Sequence, residues 1–388
     1  MKILDIRETT ISLGSPTKNA DINFSQMTAS AVVVTTDAQF DNKPLRGLGF
    51  DSIGRYGHGS LLRERFIPRL LHADEDSYQD DGVNNIDPKK IWQLMMADEK
   101  PGGHGERAGA VGLLDAAIWD IVAKVEEKPL WQVLAQRFNN EQALQSIPVY
   151  VSGGHYCEKN DLEKLREQLI RSKDNGHNFF KIKFGGKTLA EDCKRIECAL
   201  NVIGDAGSLA IDANCCFTRE TTLNYMNELE AYDLAWIEEP LGPLDYRSHA
   251  DFCATYKTPV ATGENIFSSA DLQNLLSYAG LRANSDFLQM DISLSYGIPE
   301  YLRMLEFIES NHWDRKRCIP HAGHLFALHV VAGLNLGAHE TAMDSSLAIA
   351  GFTDAAIVED GYVLAPSYPG VGFEEKSELY DLFTPLLN

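Results

Sequence analysis

The chain has 388 residues, enough for two or three domains or for one barrel with an addition. Its 44% hydrophobic and 23% charged residues suit a soluble globular protein with a large core, and no apolar run approaches the roughly 20 residues that cross a bilayer. A formal charge of −21 argues against nucleic-acid and anionic-membrane partners.

Residues 1–7, MKILDIR, alternate like a strand and carry charge, unlike a secretory leader. The seven cysteines show no CxxC pair and no framework spacing, and read as reduced thiols of a cytoplasmic protein. Strands are predicted over 1–13, 30–37 and 46–50, then helices near 60–72, 88–98 and 105–136. Three strands followed by helices predict an α+β unit over 1–140.

Near residue 146 the rhythm changes. Short apolar strand candidates at 146–154, 179–185, 209–215, 235–240, 260–265, 287–293, 317–323 and 345–349 alternate with amphipathic helical stretches. Eight strands with seven intervening segments predict a parallel TIM-like (β/α)7β barrel over 141–354. A doubly wound open sheet shares that alternation, but no GxGxxG follows a first strand. Residues 355–388 return to turns and short strands and are expected to pack on the N-terminal unit. The predicted fold is therefore α/β, a (β/α)7β barrel with an α+β capping domain made by both ends of the chain.

The second barrel strand, FFKIKFG, places Lys181 and Lys183 on one face. Either it is an edge strand with a wet face, or the lysines face a cavity with depressed pKa values, one of them suited to act as a base. Downstream, Asp212, Glu238 and Glu264 end the third, fourth and fifth strands; from 212 to 238 and from 238 to 264 is 26 residues each time. Strand ends converge at the C-terminal face of a barrel. One carboxylate there is commonly a cap or an ion-pair partner. Three at equal spacing, without three counter-charges, call for a hard cation, Mg²⁺ or Mn²⁺. Glu239 points to the opposite face from Glu238.

Asp291 and His321 end the sixth and seventh strands, and a carboxylate that orients a histidine suits it to be a general acid. Asn214 shares a face with Asp212 and belongs near the ligand sphere. Glu340, before the last strand, reads either as a protonated donor to a developing oxyanion or as a surface carboxylate. Lys100, beside the Gly-rich PGGHGER, is a candidate for substrate binding on its charge. His324, His329 and His339 lack such company and read as structural.

These motifs together, KIK at 181–183, DAN at 212–214, WIEEP around Glu238, TGEN around Glu264, and Asp291 with His321, resemble the mandelate racemase subgroup of the enolase superfamily. The resemblance covers essentially the whole chain, including PSYPGVGFE near the end. It implies that Asp212, Glu238 and Glu264 bind Mg²⁺, and that Lys183 removes the proton α to a carboxylate. It also implies that Lys181 and Mg²⁺ stabilise the enediolate and that His321, held by Asp291, serves the opposite face. Within the subgroup the chain is most similar to the D-tartrate dehydratases, in strand-end residues and in the helix motif GERAGAVGLLDAAIWD. The implied activity is that of a lyase converting a small hydroxy diacid, D-tartrate, to oxaloacetate. Another acid-sugar dehydratase, or a racemase or epimerase on the same site, shares these residues. A barrel retained only as a binding protein has no reason to keep costly buried charges. The resemblance further implies a homo-oligomer and substrate-reading residues in cap loops near 15–28 and 48–58.

Overall fold

The computed structural model describes residues 1–13, 18–20, 22–40, 42–53, 55–82, 84–343 and 348–388, without the side chain of Leu223. The first three strands, β1 (Ile3–Ser12), β2 (Thr28–Phe40) and β3 (Lys43–Phe50), form an antiparallel meander with β2 in the centre. The valine run Val32–Val34 is buried on both faces of β2, as β-branched residues allow.

A helical segment follows: α1 (Gly59–Leu61), a π turn over Leu62–Phe66, and α2 (Ile67–Leu71). Next come α3 (Pro88–Met96), α4 (Glu106–Val125) and α5 (Leu130–Phe138). The single helix expected over 105–136 is two helices. Pro129 cannot donate to the turn before it and disfavours helical backbone at Lys128, so the chain breaks there. Helix α4 is buried on nearly every face. It fits because glycines stand at its close approaches, one on a neighbouring strand and one in the helix itself: a Cβ on Gly49 of β3 would lie 2.5 Å from the Leu113 carbonyl. A Cβ on Gly112 would collide with the carbonyl of Ser293, in the barrel.

The barrel staves are β4 (Ser146–Gly153), β5 (Phe180–Lys183), β6 (Leu209–Asp212), β7 (Ile237–Glu238), β8 (Val260–Thr262) and β9 (Phe287–Leu288), each parallel to the next. Helices α6 (Asp161–Asp174), α7 (Leu189–Ile203), α8 (Arg219–Leu229), α9 (Tyr246–Thr255), α10 (Ser269–Tyr278), α11 (Ile298–Ser310) and α12 (Leu325–Leu334) connect them. The expected seventh strand is reduced to a bridge at Cys318. Ile319 N–H donates to Leu288 O at 2.9 Å, and Gly337 N–H to Cys318 O at 2.9 Å. Pro320 has no N–H for a ladder, and the chain turns at Ala322 and Gly323 with positive φ.

The last stave is β10 (His339–Ala342), parallel to β4, and not 345–349. Residues 345–347 lie outside the described residues, and 348–349 form a turn. The polar HETA lacks the apolar run that marks a buried strand, so the apolar tract after it drew the expectation. The fold is a (β/α)7β TIM-like barrel with an α+β cap. Among the described residues no helix is long and apolar enough to cross a membrane, and no disulfide joins the cysteines.

Residues beyond the barrel run both ways. The hairpin of β11 (Val358–Glu359) and β12 (Tyr362–Leu364) pairs antiparallel with the first half of β4. Val371 N–H then donates to Asp120 of α4 at 2.8 Å, Phe373 packs edge-on against Phe50, and α13 (Ser377–Phe383) lies against β2.

Loop 51–58, after β3, carries the cap onto the barrel mouth. Its two ends are fastened to Ser30: Asp51 N–H donates to Ser30 O, Ser30 N–H to Asp51 Oδ2 at 2.7 Å, and His58 N–H to Ser30 Oγ at 2.8 Å. His58 is buried between Asp51 (2.9 Å) and Glu106 (2.8 Å). Burial works against its charged form, but the two carboxylates outweigh it and push the imidazole up to about 9. The folded pKa lies above the ordinary 6.5, so this contribution is complete below pH 6.5 and is lost as pH rises through about 9. Thermal unfolding from pH 6 to 10 is expected to show a loss of stability of which a part of order 1–3 kcal/mol disappears in His58→Gln. An equal slope in the variant would place the titration elsewhere.

Candidate functional site

The site grows from strand alternation and parallel register. Lys181 and Lys183 share a face of β5, and register sets Lys183 beside Asp212 and Asp212 beside Glu238. Lys181 is fully buried and its ammonium meets Glu238 Oε1, Glu340 Oε1 (2.9 Å) and, more distantly, Asp212 Oδ2 (4.0 Å). Lys183 donates to Asp212 Oδ2. Glu238 also accepts from Gln289 Nε2 at 2.6 Å and Trp236 Nε1 at 3.3 Å.

The lysines do not have the depressed pKa values expected of them. Burial is the largest influence and lowers both, but the carboxylates around them overcome it: Glu238 and Glu340 for Lys181, Asp212 for Lys183. Both are raised, although Lys181 does pull Lys183 down as anticipated. Burial would lift Asp212; the two ammonium groups instead hold it at about 2. Burial pushes Glu238 up, with Lys181 opposing.

Glu340 also differs from expectation. It lies on β10 itself, buried, and accepts from Ala322 N–H at 3.1 Å. Burial would raise it, but Lys181 and His321 keep it ionised at about 2. It is a counter-ion of Lys181, neither a protonated donor nor a surface carboxylate.

Glu264 stands just after β8, 3.6 Å from His321 Nε2. His321 Nδ1 faces Asp291 Oδ2 at 3.1 Å, as the pairing of strand ends predicts. Burial disfavours the imidazolium, but Glu264 and Asp291 push His321 up to about 9. Asp291 is fully buried, yet His321 and His324 hold it well below the carboxylate range. His324 has more company than expected: its Nδ1 accepts from Ala327 N–H to cap α12, and its Nε2 lies 3.7 Å from Asp291. His329 ties α5 to the C-terminal segment through Trp131 N–H and Val371 O. Glu239 turns away from Lys181 and accepts from Thr262 Oγ1 and Gly263 N–H, bracing the turn that carries Glu264.

These groups surround a cavity of about 330 Å³ at the barrel mouth. Lys181, Lys183, Asp212, Asn214, Glu264, His321 and Glu340 line it; Glu238 and Asp291 are buried behind them. From the cap come Asn19, Ile22, Phe24, Ile53 and Arg55, from the two loops singled out by sequence; residues 15–17, 21 and 54 of those loops lie outside the described residues. Lys100 is not among the lining residues. It is exposed, and its carbonyl accepts from Arg107. The cationic cap residue at the cavity is Arg55, which donates to Asn265 Oδ1 at 2.6 Å. A charged residue within a flagged cap loop was the available signal, but charge beside the Gly-rich loop drew attention to Lys100.

The carboxylates sit on adjacent staves, but they are turned towards the lysines. Among the described residues no three acidic, histidine or cysteine side chains already clasp one point. The donor set still fits a hard cation. Asp212, Glu238 and Glu264 offer only oxygen, and the buried Asn214 Oδ1 has no hydrogen-bond partner among the described residues.

Lys181→Met leaves Glu238 and Glu340 buried without their shared cation. In EDTA-treated protein at pH 7 it is expected to cost about 3–5 kcal/mol in urea unfolding, with part recovered by adding Glu340→Gln. An unchanged midpoint would show that this charge balance does not hold the strand ends.

L-talarate/galactarate dehydratase of Salmonella typhimurium is 28% identical over 331 residues, covering 84% of this chain and 77% of that one. Arabinonate dehydratase of Saccharolobus solfataricus is 26% identical over 324 residues, covering 81% and 80%. L-talarate dehydratase from Polaromonas sp. JS666, solved with Mg and L-glucarate, shares the fold with a TM-score of 0.75 at 24% identity over 96% of this chain and 94% of that one. Residues 164–379, which run from α6 to α13 and include every stave after β4, match the enolase C-terminal domain-like family, and the chain belongs to that family.

Proposed function

We propose that the protein is a Mg²⁺-dependent lyase that dehydrates a small acid sugar, with D-tartrate as its substrate and oxaloacetate as the product. The observation that carries this reading is one cavity with Lys183 and His321 entering from well-separated staves, each backed by its own carboxylate, Asp212 and Asp291. The dehydratase names of the talarate/galactarate and arabinonate relatives support it.

Asp212, Glu238 and Glu264 are the residues to hold Mg²⁺, the ion named with the Polaromonas structure. Mg²⁺ held by these residues would supply positive charge beside the substrate carboxylate and would draw the oxygens of Asp212 and Glu238 away from the lysines. Lys183 Nζ takes the α-proton in its neutral form. Lys181, held by Glu340, stays charged and faces the same carboxylate. His321 Nε2 gives its proton to the β-hydroxyl, which departs as water. The resulting enol tautomerises to the keto acid. Base and acid on opposite faces favour anti elimination. D-tartrate is S at both carbons, so either end presents an α-proton to Lys183. Arg55 is the candidate to bind the second carboxylate, the role first given to Lys100.

A longer aldarate is the second reading, favoured by the talarate/galactarate relative. With malate dehydrogenase coupling, D-tartrate is expected to yield oxaloacetate, while L- and meso-tartrate react poorly. EDTA is expected to abolish turnover and Mg²⁺ to restore it. Lys183→Ala is expected to lose both elimination and α-deuterium exchange by at least about 100-fold, whereas His321→Asn loses elimination and retains exchange. Turnover of galactarate without tartrate would move the substrate to the second reading. Inverted substrate in place of keto acid would make the protein a racemase. Exchange in Lys183→Ala would show the base to be another residue.

A further inference from the structure

Asp291 divides its two oxygens between different parts of the molecule. Oδ1 accepts from Leu294 N–H at 3.1 Å, inside the barrel. Oδ2 faces His321 Nδ1 at 3.1 Å and accepts a second hydrogen bond from Ser52 Oγ, in the cap. Ser52 is buried and does not line the cavity. Its hydroxyl is the one cap group, among the described residues, bonded to this carboxylate.

The terminal torsion of an aspartate is soft, so the direction of Oδ2 depends on what it is bonded to. Ser52 is tethered through its neighbour: Asp51 is joined to Ser30 by two hydrogen bonds and to His58 by an ion pair. On the same loop Arg55 grips Asn265, next to Glu264. The loop thus touches the barrel beside both neighbours of His321, Asp291 and Glu264.

Resting on the dehydratase reading, we propose that Ser52 is a positioning residue for His321. Its hydroxyl fixes Asp291 Oδ2, which fixes the ring so that Nε2 points to the departing β-hydroxyl. The acid is complete only with the Ser52 hydroxyl on Asp291 Oδ2. Proton abstraction by Lys183, on a different stave, does not depend on this contact.

The test separates the two half-reactions. With Mg²⁺ and D-tartrate in D2O, Ser52→Ala is expected to lose roughly ten-fold or more in elimination, as loss of a hydrogen bond to a charged group does. Its α-deuterium exchange is expected to persist, with KM within about two-fold of the parent. Ser52→Thr, which keeps the hydroxyl, is expected to recover elimination. Parallel loss of exchange and elimination, or no loss of either, overturns the proposal. A second readout needs no substrate. In protein labelled with ¹⁵N-histidine, the Nδ1–H signal of His321, assigned by its loss in His321→Asn, is expected to shift or broaden in Ser52→Ala and return in Ser52→Thr. An unchanged signal overturns the proposal whatever the substrate is. A parent enzyme that neither exchanges nor eliminates any acid sugar would instead remove the dehydratase reading, while the histidine signal still decides the contact.

Discussion

Two buried ammonium groups and the carboxylates around them set the terms for this barrel mouth. Lys181 is fully buried, and a lone ammonium there would cost several kcal/mol. Glu238 and Glu340 reach it from staves on either side, while Asp212 lies between Lys181 and Lys183. Parallel register produces this arrangement, because it brings strand-end residues level from one stave to the next. The charges that can support chemistry therefore also hold the strand ends together, and each becomes unstable without its neighbours.

The staves are short where these residues stand, and the backbone is bent. Asn214, Cys215, Glu239 and Ala322 all have positive φ, which non-glycine residues adopt at a cost. Surrounding bonds hold them there. Glu239 is braced by Thr262, Gly263 and Cys215, and Asn214 N–H donates to Asp212 Oδ1. The turns aim Asn214 and His321 into the cavity at the expense of a regular ladder, as where β7 ends at Glu238 just before Glu239 and where the seventh stave is only a bridge before Ala322.

The cap supplies what the barrel lacks, a floor over the mouth and the outer bonds to the histidine side of the site. One hydrophobic cluster runs from β2 and α4 into the barrel helices, so the cap is seated by shared packing. Asp51 and His58 are tied to each other and to Glu106, three ionisable groups far from the cavity's own charges in sequence. Between Asp51 and His58 stand Ser52 and Arg55, which reach Asp291 and Asn265 of the barrel.

Local periodicity was enough to place Lys181, Lys183, Asp212, Glu238 and Glu264 at successive strand ends, because alternation and the βα repeat are written in short stretches of chain. It was also enough to pair Asp291 with His321. Tertiary structure decided the rest. The last stave is the polar HETA of β10, whose strand character comes from pairing with β4 across nearly two hundred residues. Glu340 became a counter-ion because that pairing brings it to Lys181. The lysines are raised because the balance between burial and opposite charge depends on distances of a few ångströms, which no spacing in sequence encodes. Arg55 and Ser52 reach the barrel, and Lys100 does not, because irregular loops carry no periodic signal of where they fold back.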